Sequence, residues 1–507
     1  MRAKAVVVFV VFCLSACTGL PPRTPVPSQQ ALSPSTTSAL QRQVAPMVRA
    51  HPGVSGFVVL ESGLSAFASR AWMVESADRS LDIQCYIWRT DRTGQWLIQQ
   101  LVAAAARGVR VRLLLDDNNS SGLDPVLAQL DALDNVEVRL FNPYRNRGLA
   151  RMWDLATDFD RLNRRMHIKT FIADGQAAIF GGRNVGDEYF DATADVAFAD
   201  MDVLALGPLV AEVVKSFDAY WNNKGAYPLR DIVRDADAGN KDRLAVGPTT
   251  DEYVEGLRGR KEVAHWRKGP RADELVWGPS TLTVDPPDKI FEQAHPRELM
   301  MTRLVRAIGN VDKSFDLVSP YFVPMNEGVE LFADLEKRGV RVRVLTNSLA
   351  ATDVAAVHAG YAPWRPALLQ AGIELYEVRR SGEPQLRSHA PWRTVDWSRA
   401  SLHAKTFAID SRRVFIGSFN FDPRSAWLNS EIGVLIDHGT LAKRINQAFD
   451  SDVPKYAWRV TEAADGTLQW TVQGDTGAKV VDQEPEASIW RRIAATVLSW
   501  FPIEWLL

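Results

Sequence analysis

Cysteine is scarce: Cys13, Cys17 and Cys85 are the three in 507 residues. No cluster of His, Cys and Asp falls at metal-ligand spacing, so neither a metal nor another cofactor is expected. Net charge is scarce too, since 59 Lys+Arg against 61 Asp+Glu leave −2. A chain this balanced lacks the global positive field that holds non-specific binders on nucleic acid; any polyanion site must be local, and no nucleic-acid partner is expected. Past residue 20 no apolar run reaches eighteen residues, which excludes a polytopic helical membrane protein. What remains is a chain with 46% hydrophobic and 24% charged residues, ordinary for folded protein and long enough for two compact units plus tails.

The first residues read as an export signal. Arg2 and Lys4 precede an apolar stretch over 5–14 that is short for a membrane span, and Leu14-Ser15-Ala16-Cys17 follows. Small residues just before a cysteine resemble the lipobox of bacterial lipoproteins. That resemblance implies a signal peptide at 1–16, lipidation of Cys17 and a Pro/Ser/Thr-rich tether over 17–45, with the folded part on the periplasmic side of a bacterial envelope membrane. An ordinary signal peptide or a lone anchor helix is the alternative. Thr18 after Cys17, rather than Asp, is compatible with the outer membrane. Cys85 is then left alone, so the mature chain has no disulfide. Leu81, Ile83, Cys85 and Ile87 share one face of a strand pattern, which makes Cys85 a buried, inert thiol.

The chain repeats itself. Arg107-Gly108-Val109-Arg110-Val111-Arg112-Leu113-Leu114-Leu115 and Arg338-Gly339-Val340-Arg341-Val342-Arg343-Val344-Leu345 are nearly the same string, 231 residues apart. An amphipathic helical pattern precedes each (97–106 and 328–337), and a strand-like run precedes that (81–88 and 315–323). Strand, helix, strand with Gly at the helix end is a parallel βαβ signature. The fold class is α/β, as two similar units over 46–250 and 251–455. The tail, 456–507, reads as two short strands around Asp465-Gly466 and an apolar helix. Ile489, Ile493, Val497 and Trp500 line one face of that helix, which either docks on the domain or lies at a lipid interface.

Each half carries the same polar constellation. His167-Ile168-Lys169 leads to Asp174 and Gly181-Gly182-Arg183-Asn184; His403-Ala404-Lys405 leads to Asp410 and Gly417-Ser418-Phe419-Asn420. Four residues separate Lys from Asp and six separate Asp from Gly in both. Strand alternation puts His and Lys on one side, and Ser418 and Asn420 likewise share a face. A single His-x-Lys says little, but two copies at equal spacing point to a site.

These residues resemble the phospholipase D superfamily, whose signature is two copies of this motif, over most of 70–440. The resemblance implies two αβα sandwich domains with mixed, largely parallel sheets about a pseudo-twofold axis, each giving one motif to a shared cleft. It implies His167 as a nucleophile forming a phosphohistidine and His403 as general acid, then base, roles that imidazole fills near neutral pH. Lys169, Lys405, Asn184, Asn420 and Ser418 would hold the phosphate oxygens. A carboxylate should hold each imidazole in its tautomer. Glu431 resembles the family's histidine-orienting glutamate, and Asp202 is read as its internal counterpart. Asp174 and Asp410 fix the motif turns.

The strings Tyr86-Ile87-Trp88-Arg89-Thr90-Asp91-Arg92, Leu115-Asp116-Asp117-Asn118-Asn119, Arg164-Arg165-Met166-His167 and Ser319-Pro320-Tyr321-Phe322-Val323-Pro324 look like bacterial cardiolipin synthases of the C type. That implies phospholipid substrates: phosphatidyl transfer to phosphatidylglycerol from a second phospholipid, by implication phosphatidylethanolamine. A hydrolytic phospholipase D and a periplasmic nuclease share the motif residues and stay open, as does the need for an accessory protein. Seven basic residues between Arg145 and Lys169 either suit anionic headgroups or form a solvated loop.

Overall fold

The computed structural model of the chain describes residues 22–193, 197–233, 265, 267–380, 400–474 and 477–500. Cys17, the signal segment and the nominal boundary at 250/251 lie outside the described residues. Two sheets organise the molecule. The first has nine strands in the order Val276–Gly278, Ser55–Leu60, Asp202–Leu206, Ala177–Gly181, Thr170–Ala173, Ser80–Ile87, Arg110–Asn119, Val136–Phe141, Ala226–Pro228. The second has ten, in the order Ser280–Val284, Ile432–Asp437, Arg413–Gly417, Lys405–Ile409, Ser314–Val318, Arg341–Asn347, Glu374–Val378, Ala457–Glu462, Leu468–Gly474, Gly477–Val481. Eight successive strands correspond one to one, so the repeat legible in the sequence is a repeat of whole sheets. The chain passes from one sheet to the other at Pro279.

The crossover units form as the periodicity predicts. In the helix Arg92–Ala106, Leu97, Leu101 and Ala104 point into the core, and the Asp91 side chain accepts from Gly94 N at 3.0 Å to cap its start. Gly108 (φ +90°) and Gly339 (φ +84°) close the two crossover helices in the left-handed region, which a side chain at Cβ disfavours. The sheets are mixed but less parallel than expected: within these two sheets the parallel pairs are 80–87 with 110–119 and 110–119 with 136–141, and their counterparts 314–318 with 341–347 and 341–347 with 374–378. The motif strands are joined by tight turns at Asp174-Gly175 and Asp410-Ser411, which permit only antiparallel neighbours.

Three cores follow from this layering. One lies on the outer face of each sheet. The third belongs to both halves at once, with Phe57, Phe180, Val203 and Phe217 of the first meeting Val414, Ile416, Ile432 and Phe449 of the second.

Both ends of the chain differ from their sequence readings. Residues 22–38, expected within a tether, run along the first half, where Gln29 N donates to Asn222 Oδ1 and Ala31 N to Asp218 Oδ2, both at 2.9 Å. The helix Ala39–Arg49 starts inside the expected tether because Ser38 caps it and Leu40 and Val44 pack into the core. The C-terminal hairpin extends the second sheet, with an unexpected third strand, Gly477–Val481. The last helix, Ile489–Leu498, docks through Ala495, buried with Leu349 and Ala350, and through Arg491, which donates to the carbonyls of Ala350 (3.0 Å) and Thr352 (2.6 Å). Its large apolar residues face outward, Ile489 at 68% and Trp490 at 76% exposure. Among the described residues no helix is long and apolar enough to cross a membrane.

Candidate active site

The two His-x-Lys segments lie at the ends of the central motif strands and meet between the sheets. Neither histidine is in a ladder of its own half. His167 N donates to Ser430 O (2.9 Å) and Ser430 N to Arg165 O (2.9 Å), so the first motif is stitched to the second half. His403 N and Ala404 N both donate to Ala199 O, at 2.8 and 2.9 Å, and the short strand Ala400–Leu402 runs parallel to Ala197–Ala199. The residue following each of those carbonyls, Glu431 or Asp200, is thereby aimed at the other half's histidine.

His167 Nδ1 lies 2.9 Å from Glu431 Oε2 and 3.1 Å from Oε1; His403 Nδ1 is hydrogen-bonded to Asp200 Oδ2. The carboxylates have crossed over. With Nδ1–H given to a carboxylate, each ring keeps Nε2 for the cleft. Asp202 is therefore not the counterpart of Glu431. Gly181 pairs with Asp202 and Gly417 with Gly433, so Asp202 matches Gly433, and Asp200, two residues earlier, matches Glu431. Asp202 instead forms a buried pair with Arg70 at 2.9 Å and accepts from Arg183 N at 3.0 Å. The signal was present in the sequence: aligning Val203-Leu204 on Val434-Leu435 selects Asp200.

Ser418 also differs from its expected role. Its hydroxyl donates to Glu431 Oε2 and accepts from Ile432 N (3.1 Å), and it is fully buried, so it supports the carboxylate rather than facing a phosphate. In the first half this position is Gly182, where a Cβ would stand 2.0 Å from Asp200 Oδ1. The position thus lies beside the acid in both halves. Ser425 Oγ adds a second hydrogen bond to Glu431 at 2.9 Å, and Asp285, paired with Lys289 at 2.8 Å, accepts from Glu431 N at 3.0 Å. Sequence reading had missed Asp285 and Lys289.

Lys169 Nζ donates to His167 O at 2.6 Å and lies 5.2 Å from the Tyr86 ring centre; Lys405 Nζ lies 2.9 Å from His403 Nδ1 and donates to His403 O. Asn184 Oδ1 accepts from Ile87 N at 3.2 Å. Asn420 Oδ1 is buried without a partner among the described residues. Asp174 takes the backbone N–H groups of Asp78 (3.1 Å), Arg79 (2.9 Å) and Ser80 (2.9 Å), and Asp410 those of Asp312, Lys313 and Ser314. Both acids lie at the motif turns, away from the histidines.

Burial governs the electrostatics. It pushes His167 well below the ordinary histidine value, with Lys169, Lys405 and His403 adding repulsion. His403 is also lowered by burial, then by Lys405, while Asp200 pulls the other way. Asp200 is held below the usual carboxylate range: burial opposes its charge, but His403 and Lys405 outweigh it. Burial raises Glu431 to about 7 and lowers Lys169 to about 7. Arg145 in the basic run before His167 is exposed, but most of the other arginines are paired with carboxylates. Arg147 and Arg151 bind Asp117, Arg161 binds Asp158, and Arg165 binds Asp116, whose Oδ2 also accepts from Met166 N at 2.8 Å. Cys85 is buried, its thiol pushed up to about 11 by desolvation. Among the described residues no group of three or more His, Cys, Asp or Glu is placed to hold a metal ion.

Two imidazoles, each paired with a carboxylate from the other half, with two lysines and two asparagines of the same motifs, repeated by sheet symmetry, are the constellation of a two-motif family. The chain belongs to the family described as cardiolipin synthase, PLD-like domain, whose model matches residues 72–221 and 304–453, one stretch in each half. Among its relatives, cardiolipin synthase C of Escherichia coli (strain K12) is 42% identical over 474 residues, covering 92% of this chain and 99% of that one. An uncharacterized protein of Helicobacter pylori is 31% identical over 470 residues, 90% of this chain and 91% of that one. The crystal structure of phosphatidylserine synthase from Haemophilus influenzae Rd KW20 aligns at a TM-score of 0.55 with 14% identity, over 92% of this chain and 100% of that chain, a likeness of fold.

Proposed function

We propose that this chain is a phosphatidyltransferase that makes cardiolipin from phosphatidylglycerol and a second phospholipid, phosphatidylethanolamine, through a phosphohistidine. The observation that carries the reading is the unequal state of the two crossed pairs. His167 has the more strongly depressed pKa and gives up its proton first; His403 is depressed less, because Asp200, held below the usual carboxylate range, favours its proton. A neutral imidazole attacks phosphorus, and a protonated one gives its proton to the departing alcohol.

In the first half-reaction His167 Nε2 bonds to phosphorus while the ester bond to the headgroup oxygen breaks and His403 protonates that oxygen. Lys169, Lys405 and the amides of Asn184 and Asn420 stabilise the charge on the non-bridging oxygens. In the second, neutral His403 takes the proton of a glycerol hydroxyl of phosphatidylglycerol, whose oxygen displaces His167. Identity of 42% with a relative named cardiolipin synthase C supports the lipid acceptor over water. The site would be held at a bacterial envelope membrane by lipidation of Cys17, on the periplasmic side.

The test supplies phosphatidylglycerol vesicles with and without phosphatidylethanolamine and identifies the product. Cardiolipin with release of ethanolamine is expected. Phosphatidic acid alone would replace transfer by hydrolysis, and cleavage of DNA but not lipid would overturn the lipid reading.

A further inference from the structure

The two sides of the cleft differ in what surrounds their histidines. Beside His167 stand Lys169 and Arg424, which both depress its pKa, and one ring, Tyr86, centred 4.9 Å from the imidazole. Around His403, beside Lys405, stand three rings, Phe198, Tyr189 and Tyr321, centred 5.0, 5.6 and 6.5 Å from the imidazole. Tyr321 adds a carboxylate to this group, because its hydroxyl donates to Asp353 Oδ2 at 2.8 Å. Asp353 is exposed on the loop after Arg341–Asn347, and among the described residues Tyr321 is its one side-chain partner. Arg491, the nearby cation, spends its hydrogen bonds on the carbonyls of Ala350 and Thr352. The negative charge of Asp353 reaches both His403 and Lys405.

In-line displacement fixes what this corner meets. With His167 attacking phosphorus, the leaving oxygen departs on the far side, toward His403, and carries the donor's headgroup with it. A carboxylate rimmed by aromatic faces attracts a cation and leaves a neutral or anionic headgroup without a counter-charge. We infer that Asp353, held by Tyr321 on the side of the cleft where Tyr189 and Phe198 surround His403, forms a subsite for the ammonium group of the donor lipid's headgroup. The inference rests on the transfer reaction proposed above and assigns donor choice to a residue outside both motifs.

The experiment compares rates of headgroup release by the full chain from an amine donor, phosphatidylethanolamine, and a neutral-headgroup donor, phosphatidylglycerol. Asp353→Asn should lower the ratio of amine-donor to glycerol-donor rates by about five- to tenfold, through KM rather than kcat, and Tyr321→Phe should move it the same way by less. A ratio unchanged within about twofold would overturn the subsite while leaving the transferase reading intact. A measurement without mutation guards against a misfolded variant: free ethanolamine should inhibit the wild-type enzyme and N-acetylethanolamine, its neutral counterpart, should not. Equal inhibition by both would also overturn the subsite. A wild-type enzyme that releases headgroup from neither lipid would instead overturn the proposed function, and the subsite with it.

Discussion

A neutral imidazole, a protonated imidazole and two cationic lysines must coexist for the first half-reaction, and burial decides the pH range in which they do. Raising the pH strips protons from Lys169 at about 7 and from His403, whose pKa lies below the ordinary value; lowering it costs the His167 free base only well below 6.5. The expected pH profile of kcat/KM therefore declines as the pH rises from the mildly acidic range through about 7, as His403 and then Lys169 lose their protons, and falls toward acid only where His167 is protonated, which a soluble phosphodiester substrate can check between about pH 4 and 9. His167→Ala and His403→Ala should each lower turnover by at least about a thousandfold. Near-normal activity in either would contradict a shared site. The two neighbouring aspartates separate by experiment. Asp200→Asn should reduce kcat by about 10²–10³-fold through loss of the tautomer. Asp202→Asn breaks the buried pair with Arg70 and should cost about 3–5 kcal/mol of stability, with kcat per folded molecule within a few-fold of wild type. Chemical denaturation and single-turnover kinetics distinguish these outcomes.

The turns are where equal spacing in the sequence acquires a physical cause. Each motif strand ends in an aspartate in the left-handed region, Asp174 at φ +51° and Asp410 at φ +55°, whose carboxylate gathers three backbone N–H groups from the start of the neighbouring strand. The four-residue gap from Lys to Asp is thus the length of strand between cleft and turn. Asp174→Ala should destabilise the fold by about 2–3 kcal/mol in urea unfolding, with no change in KM for the folded fraction. The crossover helices and their closing glycines were legible because local periodicity and a turn residue define them. The basic run from Arg145 to Lys169 was not, because whether an arginine is free or paired depends on Asp116 and Asp117, which a different strand brings beside it.

The halves share one core and exchange their orienting carboxylates, so the molecule should behave as one unit. Tyr220 of the first half donates to Asp285 O at 2.8 Å, directly behind Glu431, tying the interface to the site. Unfolding in denaturant, followed by probes placed in each half, is expected to show a single coincident transition. Phe180→Ala, fully buried in the shared core, should cost about 3–5 kcal/mol and shift both probes together. Expressed separately, the halves would expose that core and hold one histidine each without its carboxylate; activity is expected only when they are combined.

What the sequence by itself determined is local and repeated: the α/β class, the two βαβ units, the paired motifs and the turn aspartates, all set by side-chain period and by spacing within a few residues. The tertiary structure alone decided which acid serves which histidine. Asp200 and Asp202 have the same strand parity, so alternation cannot choose between them; the 231-residue repeat offset matches Asp200 to Glu431, but that each acid turns to the other half's histidine follows from backbone pairing across the two halves. Glu431 reaches His167 across 264 residues of chain because Ser430 is bonded to the first motif, a contact that closes only when both sheets are packed.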